Sequence, residues 1–331
     1  MIKHLRVSKS KAQEAKIFLE ESNALNESFL PIKEEEHILW PLNFEVDGEI
    51  ILCEGKRSTR ESRDYRLRLP VKIQSIVPRA FDIFGDIAII KLSEESRPYS
   101  ELICSALLES HGNINKVALD MGVKGDYRIR NLEMLFGDLD FVSTHRENGF
   151  EFTLDISQVY FSPRLSLERK RVYDIAKSEE EVLDAFAGAA PFSVTLASKG
   201  CKLTSVDPNP AAELWSHKNF KLNNIAKTNY EFINSRIEDI VSELPFYDRI
   251  IMNHPTKSLN YLEMLSEKMN PKGTLHLYKI VEKNDDFHVN DYLTSDFECI
   301  FEREVHTYSP QSSLKVFDIT KSDSNVQKTN Q

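Results

Sequence analysis

From Glu181 onward, short apolar runs alternate with helix-like stretches, and this alternation constrains the fold more than any other feature of the 331-residue chain. The runs VLDAFA, KLTSVD, YEFIN, DRIIMN and TLHLYKI are strand-like in length and composition, while residues 209–222 and 258–269 read as helices between them. Strands joined through helices run parallel and are covered on both faces, so the pattern predicts an open α/β sheet of Rossmann type over 161–320. Two further strands, FECIFER and SLKVFDI, follow with no convincing helix between them and are expected to close the sheet as an antiparallel pair.

The residues ahead of the sheet read as two small α+β domains. In the first, 1–72, Ala12, Ala15, Ile17, Phe18 and Leu19 fall near helical spacing, and HILWPL and GEIILCEG resemble short strands. It ends in a basic segment: Lys56, Arg57, Arg60, Arg63, Arg66, Arg68 and Lys72 stand against Glu61 and Asp64, although the whole chain carries a formal charge of -10. Such an island suits phosphate contacts, and equally a solvated charged loop. The second domain, 73–160, opens with DIFGDIAIIKL, read as a strand broken by Gly85, continues through a helix near 96–109, and returns to strands at VALDMGV and GFEFTLDI. Residues 321–331 are polar and are expected to be disordered. Cys53, Cys104, Cys201 and Cys299 lie too far apart for a zinc knuckle or a redox pair, so no metal site is expected. No apolar run reaches the roughly 18 residues of a membrane span, and a cytoplasmic location is expected.

Chemistry concentrates at the predicted strand ends. VLDAFAGAAPFS places Asp184 at a strand end, followed by Phe186, Gly188 and a helix start; in an open parallel sheet this is where a cofactor approaches the backbone. SVDPNP places Asp207 where a carboxylate can accept the ribose hydroxyls of an adenosine. IIMNHPTK offers Asn253, whose amide can both donate to and accept from a base edge; the same tripeptide also fits a plain turn.

Taken together, YRIRNLEMLFGD, HRENGFEFTLDISQ, VYFSPRLSLER, DAFAGAAPFS, DPNP, HKNFKLNN and IMNHP resemble the archaeal and eukaryotic tRNA (guanine-37-N(1))-methyltransferases, over about residues 80–320. The resemblance implies a class I methyltransferase domain using S-adenosyl-L-methionine, acting as a monomer on guanosine 37 in the tRNA anticodon loop. It implies that Tyr160 and Arg164 line the methionine end of the cofactor, that Asp184 and Asp207 flank its amino and ribose groups, and that Ser235 lies near the adenine. It further implies Glu168 as general base, Arg128 on the target guanine and Asn253 on the base edge. The chemistry asks for such a set, because N1 of guanine is protonated at neutral pH: a carboxylate must take that proton while a cation stabilises charge on the carbonyl oxygen. Arg169, Lys170 and Arg171 are expected to join the basic segment in phosphate contacts.

Three departures bear on substrate choice. Ala190 stands where the family has a second glycine, His254 and Thr256 replace the usual leucine and lysine after Asn253, and Ser235 stands where an acid is expected. Two other readings share the pattern: transfer of an aminocarboxypropyl or methyl group to a wyosine precursor, and a non-catalytic RNA-binding relative.

Overall fold

The computed structural model describes residues 1–22, 24–57, 63–125, 127 and 129–322. Arg128, Arg60, Glu61 and nearly all of the expected tail therefore lie outside the described residues. The chain divides into two compact units, Met1–Arg79 with Ser93–Gly112, and Ala80–Leu92 with Asn113 onward.

The first unit is built on a small antiparallel sheet. Its strands are β1 (Ile2–Ser8), β2 (Ile32–Lys33), β3 (His37–Pro41) and β4 (Glu49–Cys53), in the order β2-β3-β1-β4, with helix α1 (Ala12–Glu21) following β1. Leu5, Leu19, Ala24, Trp40 and Leu42 form its core. The unit also holds a short helix α2 (Val71–Gln74), ahead of which the buried Tyr65 hydroxyl donates to the Pro78 carbonyl, and helix α3 (Ser100–Ser110). Within the basic segment Arg66 is folded onto Asp64 at 2.6 Å and Arg68 lies 3.7 Å from Glu109 of α3.

The second unit begins with β5 (Asp82–Phe84) and β6 (Ile87–Ile90), which pair antiparallel. DIFGDIAII is thus a tight hairpin rather than one interrupted strand. Gly85 makes the turn at φ +57°, and a Cβ there would meet Ser143 Oγ at 2.1 Å. Strand β7 (Lys116–Lys124) adds parallel to β6, β8 (Ile129–Phe136) pairs with β7, and β9 (Val142–Glu147) and β10 (Phe150–Asp155) form a separate hairpin.

The large sheet follows the expected alternation: α4 (Ser166–Ile175), β11 (Glu181–Asp184), α5 (Pro191–Ser198), β12 (Lys202–Val206), α6 (Pro210–Leu222), β13 (Tyr230–Ile233), α7 (Ile237–Ile240), β14 (Tyr247–Met252), α8 (Leu259–Ser266), β15 (Met269–Glu282), β16 (Phe297–Ser309) and β17 (Ser312–Lys321). Their order is β13-β12-β11-β14-β15-β17-β16; β11 to β15 run parallel, and β17 inserts antiparallel between β15 and β16. Buried apolar residues from the hairpins and from the large sheet share one cluster, including Phe84, Phe152, Phe161, Val172 and Phe192. Burying each such side chain contributes about 1.5–3 kcal/mol. Among the described residues no helix is long and apolar enough to cross a membrane.

Candidate active site

The chain runs from β11 outward to β12 and β13, then returns to add β14 on the other side of β11, so the crossover direction reverses at β11. A crevice forms beyond the strand ends at such a reversal. The register places the expected residues along it: Asp184 pairs with Ser205 and Ile251, two residues short of Asp207 and Asn253, and Val206 pairs with Ile233, two short of Ser235.

Asp184 is buried, its Oδ2 accepting from Ser193 Oγ at 2.7 Å, and Ser193 in turn accepts from Ser205 Oγ at 2.9 Å. Burial pushes the Asp184 carboxyl up to about 7; the Ser193 hydrogen bond offsets part of that rise and the nearby Asp207 charge adds to it. Its Oδ1 is buried without a partner. A buried carboxylate oxygen with no donor fits a cationic ligand, and an ammonium group of the kind S-adenosylmethionine carries answers both the geometry and the charge.

Asp207 joins two loops. Its Oδ2 accepts from Gly188 N at 2.8 Å and its Oδ1 from Asn209 N at 3.0 Å, which leaves each oxygen a further lone pair for a ribose hydroxyl. Burial raises its pKa, and those two N–H groups partly counter it. Gly188 sits at φ +54° with its Cα face against the Tyr160 carbonyl, which an added Cβ would meet at 3.2 Å. Tyr160 is 44% exposed. Asn209 caps α6 by accepting from Ala211 N at 3.0 Å and donates to the Gln158 carbonyl at 2.7 Å, so the loop leading to Tyr160 is tied to the end of β12. Ala190 adopts φ 60°, ψ 40° just ahead of α5, the left-handed conformation a glycine would take without strain. Ser235 is partly exposed and its hydroxyl donates to the Arg236 carbonyl at 3.2 Å; the neighbouring Asn234, which spacing did not single out, donates to the Asp207 carbonyl at 2.9 Å.

Past β14, Asn253 is partly exposed and His254 packs with Phe186 and Tyr261, ring centroids 5.0 and 5.8 Å away. Phe186, on the β11 turn, touches Tyr261 at 5.0 Å. HKNFKLNN finds its physical reason on α6: Asn219 accepts from Thr153 N and donates to the Ala189 carbonyl, and Asn223 bonds both backbone groups of Glu151. Two asparagines thereby act as a neighbouring strand for β10.

Two arginines of α4 differ from expectation, and Arg164 makes an ion pair that spacing did not show. Arg164 donates to Asp82 at 2.8 Å, an acid it shares with Arg130. Arg169 is buried, forked onto Glu147 and stacked over Phe161, and Arg171 is turned inward onto Glu168 and Asp318. Neither Arg169 nor Arg171 faces solvent as a phosphate contact: Arg169 is turned onto Glu147 of β9 and Arg171 onto Asp318 of β17, while Lys170 between them is exposed and paired with Asp174.

Glu168 is fully buried. Its Oε1 accepts from Arg171 Nε at 2.8 Å and Nη2 at 2.6 Å and from the Tyr278 hydroxyl at 3.0 Å, and its Oε2 accepts from Arg303 Nη2 at 2.5 Å. Behind it the chain of contacts continues. Arg171 bonds Asp318 at 2.6 and 3.0 Å, Asp318 meets His276 Nδ1 at 2.6 Å, His276 Nε2 meets Arg249 at 2.6 Å, and Arg249 forks onto Glu180. Arginine always donates, so Nε2 of His276 accepts and Nδ1 carries the proton toward Asp318. Burial keeps His276 neutral by lowering its pKa against the pull of Asp318. Burial opposes the Asp318 charge, yet His276 and then Arg171 bring it down to about 2. Sequence reasoning missed this relay; its signal was His276 between Leu275 and Leu277 and Asp318 between Phe317 and Ile319, polar residues set between apolar neighbours.

Comparison with known proteins points the same way. A TRM5/TYW2 methyltransferase domain model matches residues 143–299, and a TYW2 N-terminal domain model matches 63–140. The tRNA (guanine(37)-N(1))-methyltransferase Trm5b of Pyrococcus abyssi is 35% identical over 271 residues, 81% of each chain. The crystal structure of Trm5b from Pyrococcus abyssi superposes with a TM-score of 0.72 at 31% identity, covering 98% of this chain and 100% of that one. The structure of aTrm5 in complex with tRNALeu superposes with a TM-score of 0.70 at 26% identity, covering 96% and 99%.

Proposed function

This chain belongs to the TRM5/TYW2 methyltransferase family, and from that premise we propose that it transfers the methyl group of S-adenosyl-L-methionine to N1 of guanosine 37 in tRNA. The observation that carries the proposal is the convergence of Asp184, Gly188, Asp207 and Asn253 at one reversal of the sheet, with one buried oxygen of Asp184 left to answer a cationic ligand. When bound, the donor supplies a methyl group made electrophilic by its sulfonium. This chain's residues do the rest. Asp184 holds the amino group, Asp207 the ribose, and the Tyr160 loop and Arg164 enclose the methionine end, while Phe186 and Ser235 border the adenine. Asn253 holds the edge of the extruded base, Arg128 stabilises charge on its carbonyl oxygen, and Glu168 takes the N1 proton.

On the same reading the segments 1–72 and 73–160 grip the RNA, and the enzyme works in the cytoplasm as a monomer. The test is incubation with tRNA carrying unmodified guanosine 37 and labelled donor, followed by nucleoside mass spectrometry. 1-Methylguanosine is the expected product. An aminocarboxypropyl mass, or no product from protein that binds the donor, would refute the assignment. Glu168→Gln is expected to keep RNA binding and lose about 10²-fold or more in the single-turnover rate, since the amide cannot accept a proton.

A further inference from the structure

Glu168 is held unevenly. Its Oε1 takes donors that are themselves fixed, Arg171 through its two bonds to Asp318 and Tyr278 by burial on β15. Its Oε2 takes one donor among the described residues, Arg303, whose side chain is 43% exposed. Arg303 stands on β16, the open edge of the sheet, paired on one side alone. The ladder slips on either side of it, between Cys299 and Phe301 and between Glu304 and His306. Of the contacts to this carboxylate, the Arg303 bond is therefore the one that can break without disturbing the core.

We propose that Arg303 is a displaceable cover on the proton-accepting oxygen: without RNA its guanidinium occupies Oε2, and an incoming guanine N1–H takes that place while Arg171, backed by Asp318 and His276, keeps Oε1 in position. The inference rests on Glu168 being the base. The N1–H bond breaks with its proton passing to Oε2, and the N1 electron pair takes the methyl group from the sulfonium, whose former bonding pair stays on sulfur. Departure of Arg303 removes one cation from beside the carboxylate as the proton is to be accepted. The phosphates of the RNA offer the displaced guanidinium a new anionic partner. Before that exchange the carboxylate is closed to water and to small electrophiles.

Accessibility of the carboxylate tests the cover without reference to activity. Full-length protein, free of RNA, is treated with a water-soluble carbodiimide and glycine ethyl ester, and modification of Glu168 is read by peptide mass spectrometry. Wild type is expected to resist, Arg303→Ala to be labelled severalfold more, and Arg303→Lys, which retains a cation, to regain protection. Equal labelling of wild type and Arg303→Ala overturns the cover. Single-turnover methylation at saturating RNA is expected to rise in Arg303→Ala, because the population with Oε2 open rises; a fall would place Arg303 in the reacting site itself and overturn the cover. Failure of the base assignment looks different: Glu168→Gln would methylate normally whatever the labelling shows.

Discussion

A single methyl group strains the turn beside the cofactor crevice. Ala190 is fully buried in the left-handed region, where a residue with a Cβ pays about 1–2 kcal/mol. Part of that is offset by the extra freedom glycine has when unfolded, so Ala190→Gly is expected to raise stability by about 0.5–1 kcal/mol in urea titration. A loss would mean that packing of the methyl outweighs the backbone strain. Asp184 gives a sharper test because its carboxyl is pushed up to about 7. The folded state binds this proton more tightly than the unfolded chain, so its contribution to stability is complete below the ordinary Asp range and is lost as pH rises through about 7. Donor affinity should move in the opposite sense, since the ammonium needs the carboxylate. Calorimetry is expected to show tighter binding at pH 8 than at pH 6 in wild type and a flat, weaker profile in Asp184→Asn; a steep profile in the variant would assign the pH dependence elsewhere.

At the scale of elements, the buried relay binds α4 to the sheet. Asp318→Asn leaves Arg171 and His276 with a neutral partner in a dry environment, and removing one member of a buried ion pair costs about 3–5 kcal/mol. The wild-type contribution is present above the ordinary Asp range and is lost as pH falls toward about 2, so the gap between wild type and Asp318→Asn in thermal melts is expected to narrow on acidification. A constant gap would locate the loss in packing rather than charge. The strands of the large sheet were legible in advance because burial on both faces demands unbroken apolar runs. β1 was not: Lys3, His4 and Arg6 interrupt its apolar residues, although it is a central strand of its sheet and His4 is buried. The Gly85 hairpin was half legible, since a glycine marks a break but not its direction. The strand-end acids could be placed from spacing, whereas the partners of Glu168 could not, because Arg171 meets Asp318 across 147 positions of sequence.

For the molecule as a whole, a formal charge of -10 must be reconciled with an RNA substrate. Two arginines of α4 that looked available for phosphates are spent on internal pairs, so RNA attraction has to come from fewer and more local cations. Binding of tRNA is expected to weaken at least about tenfold between roughly 50 and 200 mM salt, with a log–log slope reporting the number of phosphates neutralised. Donor affinity should barely change over that range. A salt-insensitive RNA affinity would argue that stacking and base contacts dominate. The position of β17 bears on how such a molecule is made. It is the last of the seven strands to leave the ribosome, yet it lies inside the sheet, between β15 and β16. Until it emerges, β15 has an open flank, β16 has nothing to pair with, and Asp318 is not there to steady Arg171. A nascent chain therefore carries every cofactor-facing strand end before it carries the support for its proposed base, and competence for proton transfer arrives only as translation of this domain finishes.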